Sequence, residues 1–144
     1  MHYTPVARIK DMGASVIGVD SGTQGVKVVV IDVDSGRVIG RGQASHASIS
    51  GLPPEASEQD PAVWISALEN ALAAALAGSP SLDPKQVVAL GVSGQQHGFV
   101  PLDEQGRVIR PAKLWNDTAT AAETNEITRA LGGPAGVLGK TGLP

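Results

Sequence analysis

Val16-Ile-Gly-Val-Asp20-Ser-Gly-Thr-Gln-Gly-Val-Lys27 carries an apolar run into an acidic, hydroxyl-bearing glycine turn, and a second β-branched run, Val28-Val-Val-Ile31, follows directly. The pattern predicts a strand, a turn large enough to hold a phosphate, and a second strand. A single Asn-Gly or Asp-Gly pair suffices to close a hairpin, so polar residues throughout 20–25 exceed what folding alone requires. Gly22 and Gly25 are free to take positive φ and let backbone amides converge on an anion. Asp20 falls at the end of a buried strand, where a carboxylate is costly unless it meets a ligand such as a hydrated Mg²⁺. Thr23 and Lys27 add a hydroxyl and a positive charge. An ordinary hairpin with polar turn residues fits the same stretch.

Outward from this turn, residues 26–33 are almost wholly β-branched, Asp34-Ser-Gly36 turns the chain, and residues 37–44 alternate as a third strand, completing an antiparallel meander. Residues 45–59 shift to Ser, Gly and Pro and read as a surface connection. Asp60-Pro61 then opens a helix in which Trp64, Leu68, Ala71, Leu72, Ala75 and Leu76 recur at helical spacing until Gly78 and Pro80. Residues 87–92 form a continuous apolar run, expected as a central strand covered on both faces, that ends at Ser93-Gly-Gln-Gln-His-Gly98. Asp103-Glu-Gln-Gly106 signals another hairpin. A second helix is expected over about 118–131, with Thr120 and Glu123 at capping-box spacing, and residues 136–144 read as a loop. If the fourth strand joins by a crossover, the ends of strands one and four lie together, and both polar loops open on one crevice.

The 144 residues, 42% of them hydrophobic, suffice for one domain with a core. A net charge of −3 with scattered basic residues favours neither nucleic acid nor an anionic membrane as partner. The absence of cysteine excludes disulfides and thiolate metal sites and fits a cytoplasmic location, and the three histidines stand far apart. No apolar run reaches the roughly eighteen residues that span a bilayer. Residues 1–14 lack periodicity and are expected to be a flexible extension.

Four blocks together resemble the FGGY carbohydrate kinases, and within them the xylulose kinases: Gly18-Val-Asp20-Ser-Gly-Thr-Gln-Gly-Val-Lys27, Ser57-Glu-Gln-Asp-Pro61, Gly91-Val-Ser-Gly-Gln-Gln-His-Gly98 and Arg110-Pro-Ala-Lys-Leu-Trp-Asn-Asp117. Asp-x-Gly-Thr alone is shared across actin-like ATPases; Gln-His-Gly and Leu-Trp-Asn-Asp narrow the match to sugar kinases. The resemblance implies an α/β fold of the actin-like ATPase (ribonuclease H-like) type, of which residues 15–144 would be the N-terminal segment of the first domain. It implies ATP and Mg²⁺ as cofactors and D-xylulose as the sugar partner, with Asp20 important for activity and directed to the metal through water. It places Gly22, Thr23, Gln24 and Lys27 beside the phosphates, Gln96 and His97 on the ketose hydroxyls, and Trp115, Asn116 and Asp117 along the sugar pocket. Xylulose kinases often carry methionine where Gln96 stands, which moves weight onto His97 or the backbone. Full-length relatives are several times longer, with the general base, adenine pocket and second phosphate loop beyond Pro144, so the chain is expected to be inactive alone.

Plainer readings stand beside these roles. His97 also fits a buried histidine satisfied by backbone, Trp115 a core side chain, and Asn116 and Asp117 helix caps. Trp64 reads as core or domain interface, and His46 as solvent-facing. Another ketose or polyol, a non-catalytic sugar-binding module on the same scaffold, and a self-associating homo-oligomer such as a dimer are the competing outcomes.

Overall fold

The computed structural model describes residues 13–80 and 82–142. Strands β1 (Ser15–Gly22), β2 (Gly25–Asp32) and β3 (Val38–Ser45) form the expected antiparallel meander, with Asp20 opposite Lys27. Strand β5 (Val87–Gly94) returns parallel to β1, giving the order β3-β2-β1-β5. Between them runs α1 (Pro61–Ala77), which starts where the sequence predicts because Asp60 accepts from the Ala62 amide at 2.9 Å and Pro61 occupies the first turn.

One helix face meets one sheet face. Val26, Val28 and Val30 from β2, Ile17 and Val19 from β1, and the stripe Ala67, Ala71 and Ala75 from α1 are buried together. The contact is close because both sides are small. A Cβ on Gly42 would lie 1.9 Å from the Ala71 carbonyl oxygen, so only glycine lets β3 approach the helix backbone here. The larger Leu68 and Leu72 flank the stripe and are half-buried.

Beyond β5 no third layer forms among the described residues. A short ladder joins β4 (Glu58–Gln59) to β6 (Ala112–Lys113), and the outlying helices are α2 (Ala121–Ala130) and α3 (Pro134–Thr141). The 103–106 hairpin persists as an isolated bridge between Leu102 and Val108.

Several expectations change. β5 is an edge strand, with Val88, Leu90 and Val92 exposed at 48%, 55% and 68%. Its apolar run reads as buried in sequence, yet α1 sits over β2 and β3 and leaves β5 uncovered. The connection over 45–59 ends in a buried strand, not in surface loop, because Glu58 and Gln59 find partners distant in sequence. Thr120 occupies the N-cap of α2 but makes no side-chain cap bond, so the capping box does not form. Residues expected as a terminal loop form α3, seeded by Pro134 at the first helical position after Gly133 at φ 86°. The extension predicted for 1–14 falls mostly outside the described residues, but Ala14 is buried and its carbonyl accepts from the Val33 amide at 2.9 Å.

Candidate functional site

The turn that follows β1 is tighter than the sequence suggests. β1 runs through Gly22 and β2 begins at Gly25, which leaves a two-residue loop of Thr23 and Gln24. Both tip residues have negative φ, so the mirror-image turn usual for such a short loop is not used. Gly22 does not take positive φ either; its amide belongs to a strand rather than to an anion nest. Gly25 has φ 159° and its missing Cβ leaves room for the Ala44 carbonyl, 2.5 Å from where that atom would stand.

Asp20 lies on β1 directly across from Lys27, and both side chains are exposed. Neither makes a hydrogen bond or ion pair among the described residues, so a carboxylate and an ammonium stand free at one depression of about 620 Å³ that Thr23, Gln24, Trp115 and Asn116 also line. Asp20, Gly22 and Thr23 continue into a second depression of about 400 Å³, closed on its other side by Gln95, Gln96 and His97. Hairpin tip and β5 loop therefore share walls. No group of three or more acidic or histidine ligands exists among the described residues. One free carboxylate beside open space suits Mg²⁺, which keeps several waters and takes the rest of its ligands from phosphate oxygens.

His97 is exposed and holds φ 61°, the left-handed region that side chains rarely adopt, so it is not the buried histidine of the plainer reading. Trp115 is 61% exposed and is not core; its indole Nε1 donates to Thr23 Oγ1 at 3.3 Å, across the rim. Thr23 in turn donates to Gln95 Oε1 at 3.1 Å. Asn116 lines the larger depression, but Asp117 does not. Its carboxylate is consumed internally: Oδ2 accepts from the Ser57 amide at 2.9 Å, and Oδ1 accepts from Lys113 at 3.0 Å and from the Ala119 amide at 3.1 Å. The Ser57 amide, then Lys113, hold the Asp117 carboxyl below its ordinary value. Asp117 is a brace for the loop that carries Trp115, and the sugar contact expected of it is not part of this geometry.

A matching brace lies one strand away. Glu58, nearly buried, pairs with Arg110 and Lys113, and the Arg110 guanidinium beside it holds its carboxyl below the usual range. The adjacent Gln59 is fully buried and makes contacts that the sequence did not announce. Its Nε2 donates to the Thr23 carbonyl at 2.7 Å, and its Oε1 accepts from Trp64 Nε1 at 2.7 Å and from Gln95 Nε2 at 3.4 Å. His46, expected in solvent, is instead half-buried beside Gln59, with Nδ1 3.4 Å from Nε2 of that amide. In sequence this cluster shows as the Ser57-Glu-Gln-Asp-Pro61 block of the family resemblance, a polar pair immediately before a helix cap with a tryptophan five residues on, and nothing in it announces these contacts.

Residues 15–144 match the profile of the N-terminal domain of the FGGY family of carbohydrate kinases. The chain belongs to the FGGY family of carbohydrate kinases. It is similar to the xylulose kinase of Haemophilus influenzae, 45% identical over 130 residues that cover 88% of this chain and 26% of that protein. An Arthrobacter sequence named xylulose kinase is 47% identical over 106 residues, 74% of this chain and 97% of its own length. Among solved structures, the xylulose kinase of Bifidobacterium adolescentis superposes with a TM-score of 0.67 at 40% identity, covering 85% of this chain and 22% of that one. This FGGY chain thus spans about a quarter of the length of most curated relatives it matches. The actin-like fold expected from the motifs is the fold of these neighbours, and the mixed sheet with flanking helices is its first part.

Proposed function

We propose that this chain forms the substrate-facing part of an ATP-dependent carbohydrate kinase that converts D-xylulose to D-xylulose 5-phosphate. The observation that carries the proposal is the shared depression: Asp20 and Thr23 on one side, Gln96 and His97 on the other, Trp115 across the rim. The names of the relatives favour xylulose over other sugars.

Phosphoryl transfer asks a protein mainly for alignment and charge neutralisation. Lys27 and the amides of Thr23 and Gln24 would receive the terminal phosphates of ATP, and Asp20 would hold Mg²⁺ through water. When bound, the metal ion offsets charge on the phosphate oxygens. Gln96 and His97 would fix the ketose hydroxyls, with the Trp115 ring against the carbon face of the sugar. The attacking hydroxyl oxygen bonds to the γ-phosphorus as the bond to ADP breaks, and its proton passes to a base assigned here to sequence outside this chain.

The test is ATP-dependent phosphorylation by the intact gene product across a panel of ketoses and polyols. D-xylulose is expected to give the highest kcat/KM; preference for another sugar would reassign the substrate and keep the chemistry. Saturable sugar binding with no turnover would identify a non-catalytic sugar-binding module instead. The 144-residue chain alone is expected to show weak or no turnover, and robust xylulose phosphorylation by it would overturn the assignment of the base.

A further inference from the structure

The two walls of the shared depression come from β-hairpin and β5 loop, which are far apart in sequence, and one buried side chain touches both. Gln59 donates to the backbone carbonyl of Thr23 at 2.7 Å and accepts from Gln95 at 3.4 Å, the residue immediately before Gln96 and His97. Thr23 and Gln95 are also joined directly at 3.1 Å. Gln59, Thr23 and Gln95 therefore close a triangle under the site.

The orientation of the Gln59 amide is not free. The Trp64 indole can only donate, so the atom 2.7 Å from its Nε1 must be the oxygen; the Thr23 carbonyl can only accept, so the atom facing it must be the nitrogen. The remaining Nε2 hydrogen is shared by Ser48 Oγ at 3.2 Å and His46 Nδ1 at 3.4 Å. An amide with every valence used, in a position with no solvent exposure, has one pose. No aliphatic side chain and no carboxylate can reproduce it.

We propose that Gln59 is a positioning residue that sets the Thr23–Gln24 tip against the Gln95–His97 loop, so that the phosphate and sugar sides of the site are held in register by one carboxamide. The proposal rests on the kinase reading above for its consequence, though not for its geometry. Gln59 does not line the depression and touches no substrate position. Its effect passes through Thr23 and Gln95.

Two variants separate positioning from mere packing. Gln59→Leu removes all the bonds. Gln59→Glu keeps an oxygen for Trp64 and Gln95 but turns an acceptor toward the Thr23 carbonyl. The chain has two tryptophans, and both end on this network, so their indole N–H signals in ¹⁵N NMR report it directly. With positioning, Gln59→Glu shifts the Trp115 signal, which reads Thr23 and touches residue 59 only through it, while the Trp64 signal moves downfield because its acceptor becomes a carboxylate. A Trp115 signal that does not move in Gln59→Glu overturns the proposal, even if Gln59→Leu fails to fold. In the intact gene product, Gln59→Glu is expected to lower kcat roughly 10- to 100-fold at temperatures well below its melting point. A wild-type kcat in that variant also overturns it. An inactive wild-type enzyme would refute the kinase reading and leave the indole signals to decide the role of Gln59.

Discussion

Glu58 and Gln59 are neighbours in a two-residue strand, so their side chains leave on opposite faces, one into an ion-pair cluster and the other under the hairpin tip. On the first face, Glu58, Lys113 and Asp117 are all held in their charged forms: both carboxyls are lowered and the Lys113 ammonium is raised, chiefly by its bond to Asp117. A carboxyl lowered on folding contributes stability at pH above its unfolded value, about 4, and loses that contribution as pH falls through its folded value. The chain is therefore expected to lose melting temperature on acidification below about pH 4. Asp117→Asn should melt lower at neutral pH and show a shallower acid decline, measured by circular dichroism; an unchanged melting temperature would mean the brace is idle. None of this was legible in sequence. Asp117 looks equally like a cap or a sugar contact when read beside Thr118, and only the fold brings the Ser57 amide and Lys113 to it. Gln59 was hidden for the same reason, since hydrogen bonding across 36 residues leaves no periodic trace.

Strands β1, β2 and β3 and helix α1 were readable because each has a local cause: β-branched runs, a turn, an Asp-Pro cap and a 3.6-residue apolar repeat. What the repeat did not reveal is how near α1 comes to the sheet. Gly40 and Gly42 on β3 face the small residues of the helix, and a Cβ at either would lie 2.5 Å or less from a helix carbonyl. Gly42→Ala must push the helix backbone away from β3 and is expected to destabilise the chain by about 2–3 kcal/mol or more in urea unfolding. Gly91→Ala on the edge strand, where a Cβ meets nothing within 4 Å, is the control and should change stability by less than about 0.5 kcal/mol. Equal effects at both sites would remove close approach as the reason for glycine at 42. The α3 helix was missed because Gly136 and Gly139 argue against helix in sequence, whereas in the fold a Cβ at 136 would lie 1.8 Å from the Leu131 carbonyl oxygen, so glycine is what lets the helix sit there.

Across the sheet, α1 covers β2 and β3, while Leu90 and Val92 pair with Ile17 and Val19 and extend the same apolar face past the helix. Sequence reports that β5 is apolar; it does not report whether anything lies on it. An exposed edge strand of this composition invites strand pairing or face-to-face contact between copies. The purified 144-residue chain is expected to self-associate in analytical ultracentrifugation, and Leu90→Lys to shift it toward monomer. A monomer at all concentrations would show that this face is harmless when bare.

The shared depression makes a sharper demand, because its two sides are assigned different work. In the intact gene product, kcat and sugar KM should be measured for Asp20→Asn and for His97→Asn, asparagine being tolerant of the backbone at φ 61°. Asp20→Asn is expected to lower kcat by about 10²-fold or more with sugar KM close to wild type, and His97→Asn to raise sugar KM. A wild-type kcat in Asp20→Asn, or a sugar KM indifferent to His97, would contradict the division of this site into a phosphate side and a sugar side.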